Sequence, residues 1–354
     1  MPTIRPHDLR HFAEQVISAK GSDADESQVV ADSLVEADLT GHPGHGVSRL
    51  PRYSSQVDKG QIKTNQKPTC TSGHHVLRRY DAHFGFGQSA LDAITREMMA
   101  LGEAQGLSLA FVQNCNHVGR LAYYTEAVAR SGMCALMLCN VNGKPRVSTF
   151  GGIEPRLGTN PLALAVPWRR GVFSFDSSTS SVVEGITHVQ HLNGVAMPPG
   201  MLIDANGNPT CDPGVVYSTP PGSILPLGLA DNLFKGAGLA MAIDVFAGLL
   251  SGSGFPSPNA PLGRNGIMLL VFNANHLLPQ RELDAQLDAY AAWIKSARRA
   301  SGVEEILLPG EPEKRAKSLA EKAGITLDDG TYSDLLKLQS DVGMQGTLER
   351  LVTG

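Results

Sequence analysis

The sequence predicts an α/β fold with helical segments at both ends of the chain. Three observations carry this. Apolar residues recur at helical spacing through the first seventy positions, and short apolar or alternating runs crowd the stretch from about 75 to 178. Near the end, EILLPGEPEKRAKSLAEKAGI reads as a strand, a turn and a charged helix.

After Pro6, the residues Leu9, Phe12, Val16 and Ile17 share one helical face, and Gly21 ends the run. Ser22 and Asp23 can cap a second helix, which carries Val30, Leu34 and Ala37 on one side and stops at Gly41. A third helix, with Leu50, Tyr53 and Val57, ends at Gly60. The segments HHVLRRYDAH, LSLAFVQN, MCALMLCN, LALAVPW and GVFSFDSS predict strands, with helices near 88–105 and 119–131 between the first three. A glycine- and proline-rich connection covers roughly 192–230. Beyond it, KGAGLAMAIDVFAGLLSG predicts a buried helix, GIMLLVFN a buried strand, and 279–300 an amphipathic helix.

At 354 residues, the chain exceeds a typical single core, so two domains are expected. Hydrophobic content of 42% and charged content of 18% are ordinary for a globular protein, and a net charge of −4 gives no reason to expect nucleic acid or an anionic membrane surface. The start of the chain has no basic region leading into a long apolar run, so no signal peptide is expected, and the window LAMAIDVFAGLL is too short to span a bilayer. The five cysteines (70, 115, 134, 139 and 211) are odd in number and lack a C-x-x-C pair, which points to a reducing compartment, the cytoplasm.

The densest polar cluster is GHPGHGVSRL at 41–50. An imidazole at His45 can exchange a proton near neutral pH, while Arg49, four residues on, can hold a carboxylate by two contacts. Gly44 and Gly46 leave room for a ligand to approach the backbone. In NCNHVGRLAYY, His117 follows a strand and opens a helix, where side chains project over a ligand or cap the helix. The loop before LALAVP offers Gly158, Thr159, Asn160 and Pro161, whose backbone donors suit a phosphate or carboxamide. Asp176 then precedes the hydroxyl run Ser177, Ser178, Thr179, Ser180 and Ser181, suited to a ribose or phosphate, and Lys235 opens a helix where an anion is favoured. Gly85-x-Gly87-x-x-Ala90 imitates a dinucleotide turn, but the preceding RRYDAH is too polar for a central parallel strand, so a tight turn feeding a helix is expected there. The pairs His42-x-x-His45 and His188-x-x-His191 lack the carboxylate spacing of a zinc site, and no metal is expected.

Taken in order, GHPGHGVSRLPRY, NCNHVGRLAYY, GGIEPRLGTNPLALAVP, FDSSTSSVVEG, MLIDANGNPTCDP, LPLGLADNLFKGAGLAMAIDVFAGLLSG and LLPGEPEKR resemble the malate/L-lactate dehydrogenase-like NAD(P)-dependent oxidoreductases. That family is distinct from the Rossmann-type enzymes and includes ureidoglycolate, sulfolactate and diketogulonate-type enzymes and piperideine/pyrroline-2-carboxylate reductases. The resemblance implies a non-Rossmann cofactor domain with a mixed, largely antiparallel sheet over 75–300. It also implies a helical substrate and dimerisation domain from 1–74 and 301–354, and a homodimer.

It further implies that His45 is the proton donor or acceptor, that Arg49 holds the substrate carboxylate with Gly44 and Arg52 beside it, and that Asp176 orients His45. His117 would sit by the nicotinamide and is the acid/base in some members. Gly119, Thr159, Asn160, Pro161, Ser177, Ser178, Thr179, Ser180, Lys235 and the Pro309-Gly310-Glu311 turn would contact NAD or NADP. Two positions depart from the family pattern: Gly44 stands where a serine is usual, and Phe234 where a histidine is usual. The first departure removes a hydrogen bond and makes room for a bulkier substrate.

The expected activity is hydride transfer between NAD(P)H and the carbon alpha to the carboxylate of a 2-oxo or 2-hydroxy acid. The alternatives are reduction of a cyclic imino acid, a non-catalytic cofactor-binding relative, and a metal-dependent hydrolase using the paired histidines.

Overall fold

Pro6 sits at the first position of the first helix, where its missing N–H costs nothing, and Asp23 caps the second by accepting from the Glu26 N–H. These local signals set the N-terminal elements in a computed structural model that describes residues 1–229, 232–260 and 263–353. Ala230 and Asp231 of the LPLGLADNLFK stretch lie outside the described residues, as does Gly354 of the C-terminal segment.

The chain begins with β1 (Thr3–Ile4), α1 (Pro6–Ala19), α2 (Ala24–Leu39) and α3 (Leu50–Asp58). It continues through β2 (Thr69–His74), β3 (Leu77–Asp81), α4 (Gly87–Gln105), β4 (Leu107–Asn116), α5 (Ala122–Arg130) and β5 (Cys134–Val141). Next come β6 (Val147–Ser148), β7 (Pro155–Leu157), β8 (Leu162–Trp168), β9 (Gly171–Ser177), α6 (Glu184–Leu192), β10 (Leu202–Ile203), β11 (Pro209–Thr210) and β12 (Ser223–Ile224). The last elements are α7 (Leu233–Ile243), β13 (Arg264–Phe272), α8 (Gln280–Lys295), α9 (Glu311–Ala323), β14 (Ile325–Thr326), α10 (Asp329–Asp341) and β15 (Val352–Thr353).

The main sheet runs β2-β3-β4-β13-β5-β8-β9. Only β3–β4 pair in parallel, and the other five ladders are antiparallel, which is the mixed, largely antiparallel sheet expected. Strand alternation divides β13 between two layers. Ile267, Leu269 and Val271 pack with Leu91 and Ile94 of α4 and Val128 of α5, while Met268 meets Ile243 and Ala247 on the other face. A separate apolar core joins α1, α2 and α3 to Leu335 and Leu338 of α10, with Phe86 included. Each fully buried Leu or Phe there contributes about 1.5–3 kcal/mol relative to exposure.

Several expectations are corrected. HHVLRRYDAH is not one strand: it turns at His75, whose φ is +51°, so that His74 pairs with Leu77 across a hairpin. The 192–230 connection contributes β10 and β12 to a second sheet, ordered β11-β10-β12-β6-β7, because its short apolar pairs find partners at a distance. The tail segment EILL forms no strand, since no neighbouring strand pairs with it and Leu308 N bonds to the Glu311 carboxylate instead. The helix in KGAGLAMAIDVFAGLLSG is buried on only one face. Gly236 approaches the Leu227 backbone so closely that a Cβ would lie 2.1 Å from its carbonyl oxygen, whereas Leu239, Met241, Val245, Phe246 and Leu250 stay exposed. The apolar composition there serves the core on one face, through Ala240, Ile243 and Ala247, and an exposed surface on the other.

Candidate active site

The loop between α2 and α3 is held from beneath. Gly41, at φ +82°, turns the chain out of α2, and two single 3-10 turns, Pro43–His45 and Val47–Arg49, lead into α3. Asp38, near the end of α2, accepts the Val47 N–H at 2.8 Å, and a Cβ on Gly46 would fall 1.9 Å from its Oδ1. Gly46 is therefore required by space, because its φ of −88° suits any residue. Burial pushes the Asp38 carboxyl up to about 8, partly offset by that backbone bond.

This support presents His45 to His117, which follows β4. The rings stack with centroids 5.3 Å apart and planes 5° from parallel. His117 Nδ1 lies 2.7 Å from the Tyr53 hydroxyl, and Gln88 Nε2 donates to that hydroxyl at 2.7 Å. The two helices α3 and α4 therefore converge on one imidazole. A Cβ on Gly87 would be 2.5 Å from the His117 carbonyl oxygen, so in G-x-G-x-x-A this glycine lets α4 start against the β4–α5 turn. By contrast, the buried Nδ1 of His45 has no hydrogen-bond partner among the described residues.

The Arg49 Nε donates to the Gly44 carbonyl, which aims the rest of the guanidinium toward the first turn of α6. A Cβ on Gly185 there would lie 3.2 Å from Arg49 Nη2. One on Gly44 would meet nothing within 4 Å, so the space beside His45 is open there. The Arg52 Nη2 lies 3.4 Å from the Cβ position of Gly263, and its pKa is lowered by burial and then by Arg49. Burial, followed by the charges of Arg49, His42 and Arg120, depresses His45 to about 3. His117 is lowered by burial, Arg49, His45 and Arg52. Both shifts favour the neutral imidazole, through burial first and the Arg49 charge second, and a carboxylate on Arg49 would offset that second cause.

Other sequence-derived candidates fall elsewhere. Asp176 does not bond to His45. Its Oδ2 accepts the Ala122 N–H at 2.8 Å, fixing the start of α5, and burial raises its pKa against that bond and the Arg120 charge. Asn160 is fully buried, with Oδ1 accepting from Val141 N and Nδ2 donating to Ala240 O and Asp244, so its side chain shapes the loop from inside. Thr159 and Asn160 accept the Thr179 hydroxyl through their carbonyls, and Pro161 continues that loop into β8. Within the hydroxyl run Ser177 donates to Ser178 O, Ser178 to Ser180 O and Ser180 to Val182 O, while Ser181 reaches across to Met201 O. These serines lock a turn, because consecutive hydroxyls lie within reach of their own backbone.

Lys235 is exposed in the first turn of α7, which has no side-chain cap, and its Nζ sits 5.9 Å over the Phe234 ring. Gly119, at φ +78°, carries the turn after His117. In the turn Pro309-Gly310-Glu311, Gly310 approaches Ser174 and Glu311 pairs with Lys295 at 2.8 Å. His42 faces Glu313 at 3.5 Å, and His188 and His191 both pack on Tyr217. Among the described residues, no group of three or more His, Cys, Asp or Glu is arranged for a metal ion.

Sequence reasoning overlooked Tyr53 as a polar participant, together with Gln88, Asp38, Gly185 and Arg120. The signal for Gln88 and Asp38 was a polar residue at a helical position that faces the interior. Arg120 is 4% exposed, pairs with Glu126 at 2.6 Å, and has Nε and Nη1 without partners among the described residues.

A profile for the malate/L-lactate dehydrogenase family matches residues 4–336. Hydroxycarboxylate dehydrogenase B from Escherichia coli strain K12 is 33% identical over 349 residues, covering 95% of this chain and 93% of that protein. The solved malate dehydrogenase of Pyrococcus horikoshii superposes with a TM-score of 0.88 at 27% identity, covering 97% of this chain and 96% of that one. The Δ1-piperideine-2-carboxylate reductase of Pseudomonas syringae shares the fold, with a TM-score of 0.80 at 24% identity and coverage of 96% and 100%.

Proposed function

The chain belongs to the malate/L-lactate dehydrogenase family, and from that premise we propose a nicotinamide-dependent oxidoreductase acting on the carbon next to the carboxylate of a 2-hydroxy or 2-oxo acid. The observation that carries this reading is the parallel His45–His117 pair beside an arginine whose Nε is anchored to Gly44 while Nη2 faces the start of α6.

A dinucleotide fits the residues present. The uncapped first turn of α7 with Lys235 suits a phosphate, and Ser148 Oγ and Asn140 Oδ1 are buried polar atoms without protein partners among the described residues. When bound, NAD or NADP supplies or accepts the two electrons.

Arg49 binds the substrate carboxylate and orients the reacting carbon. That negative charge offsets the guanidinium, which otherwise disfavours a protonated His45, so substrate binding raises the basicity of the imidazole. His45 then takes the proton from the 2-hydroxyl in oxidation and returns it to the oxygen in reduction. Charge develops on that oxygen as reaction proceeds, so a positioned imidazolium stabilises the transition state more than the ground state.

The open space at Gly44 favours a second reading, reduction of a ring-bearing 2-imino acid, with the proton delivered to nitrogen. The exposed apolar face of α7 supports a homodimer, since a patch of that kind on a globular chain calls for a covering surface. The core shared by α1–α3 and α10 supports a helical unit from 1–74 and 301–354 beside a cofactor unit over 75–300. No helix among the described residues is long and apolar enough to cross a membrane, and five free cysteines support a reducing, cytoplasmic setting.

The test is a nicotinamide-fluorescence screen with NADH and NADPH against pyruvate-like, ureidoglycolate-like and cyclic imino acids. His45→Ala is expected to abolish turnover while cofactor binding persists. Unchanged turnover in that variant removes His45 from the chemistry.

A further inference from the structure

We propose that Tyr53, backed by Gln88, locks His117 into the tautomer with its proton on Nε2, making His117 a fixed hydrogen-bond donor and leaving proton exchange to His45. This rests on the reading that both imidazoles face the substrate, and it assigns them different tasks.

The argument is a count of hydrogens. The Tyr53 oxygen is approached from two sides at 2.7 Å, by Gln88 Nε2 and by His117 Nδ1. An amide nitrogen only donates, and a phenol carries one hydrogen. With the oxygen accepting from Gln88, the phenol hydrogen goes to His117 Nδ1, which must present a lone pair. The hydrogen of the neutral ring then sits on Nε2. With the Gln88 nitrogen toward the phenol, the opposite arrangement, Nδ1–H donating to the phenol, leaves the phenol hydrogen without an acceptor on a residue that is 1% exposed; reversing the amide would instead offer it the Gln88 Oε1, a buried atom with no other partner among the described residues.

The partner ring is built differently. His45 Nδ1 has no hydrogen-bond partner among the described residues, so none of them fixes the tautomer through that nitrogen. The near-parallel stacking at 5.3 Å also disfavours two imidazolium ions side by side, so one ring of the pair carries an exchanging proton at a time. Tyr53 and Gln88 are positioning residues in this scheme, orienting His117 as carboxylates and carbonyls orient ligating histidines elsewhere.

Two-bond nitrogen–proton NMR on full-length protein labelled at the histidine ring nitrogens reads the tautomer directly, with the His117 signals identified by their loss in His117→Asn. The wild-type ring is expected as a single Nε2–H tautomer. Tyr53→Phe is expected to give a mixture of tautomers and to lower kcat about tenfold while KM for the carboxylate stays within about twofold. An Nδ1–H tautomer in the wild type overturns the proposal, and it would mean that the Gln88 amide is reversed and the chain of donors runs the other way. An unchanged single Nε2–H tautomer in Tyr53→Phe overturns it too. If that variant does not fold, the wild-type spectrum still decides. The spectrum needs no turnover, so failure of the substrate screen and failure of the tautomer lock are separate results.

Discussion

Replacing Gly46 by alanine adds one methyl group at the most crowded point under His45. The new Cβ would sit 1.9 Å from Asp38 Oδ1 and 2.2 Å from its Cγ, far inside contact distance. The backbone at Gly46 lies in an ordinary extended conformation, so alanine meets no intrinsic objection there and the effect is steric. Either the Asp38 carboxyl swings away or the loop lifts. Swinging breaks the 2.8 Å bond to Val47 N and leaves buried groups unpaired, at roughly 1–3 kcal/mol. Forced shifts in a tight interior add about 1–3 kcal/mol more. The expected loss of stability is therefore about 3 kcal/mol, read from urea unfolding midpoints. Lifting the loop displaces His45 and Arg49 together, and a misplacement of about 1 Å lowers kcat/KM on the order of a hundredfold. Adding Asp38→Ala to Gly46→Ala removes the clash and is expected to recover part of both losses. A Gly46→Ala protein within about 0.5 kcal/mol of wild type and fully active would refute this account of the loop.

Two further variants test neighbouring parts of the site. The buried Asp38 carboxyl titrates near 8 in the folded chain and at its ordinary value near 4 when unfolded, so the folded state retains a proton that the unfolded state has released. Stability from this group falls as pH rises from about 4 to about 8, by up to about 1.4 kcal/mol per unit. Asp38→Asn keeps an oxygen for Val47 N and does not titrate, so its advantage over wild type should grow across that window in paired urea melts, and parallel curves would contradict it. Gly185→Ala places a methyl 3.2 Å from Arg49 Nη2 on a helix that tolerates alanine. KM for the carboxylate should rise about fivefold with kcat unchanged, the loss of about one hydrogen bond, and an unaltered KM would mean that Arg49 does not meet substrate from that side.

Much of the fold was legible because local spacing carries it. The period of Leu9, Phe12, Val16 and Ile17 placed α1, and Asp23 marked the start of α2 through its side-chain bond to the Glu26 N–H. Apolar runs such as LSLAFVQN and MCALMLCN marked β4 and β5. What composition could not tell is which surface an apolar segment meets. α7 was expected to be buried, yet Met241 is 43% exposed, since hydrophobicity records a need for cover and not its source. The hydroxyl run at 177–181 was read as a ligand cradle. Its hydroxyls also donate to carbonyls of the protein, Ser180 to Val182 within the run and Thr179 to the 159–160 loop, bonds that no spacing in the letters foretells.

From the sequence alone came the types of most helices and of the long apolar strands, the loop bearing His45 and Arg49, and the seven motifs that mark the family, because each depends on residues near one another along the chain. Only the tertiary structure decided that His45 stacks on His117, that Tyr53 and Gln88 hold the second ring, and that Asp176 caps α5 without touching the first. Those contacts join separate helices and strands whose mutual placement follows from packing across the whole core, and packing has no period to read.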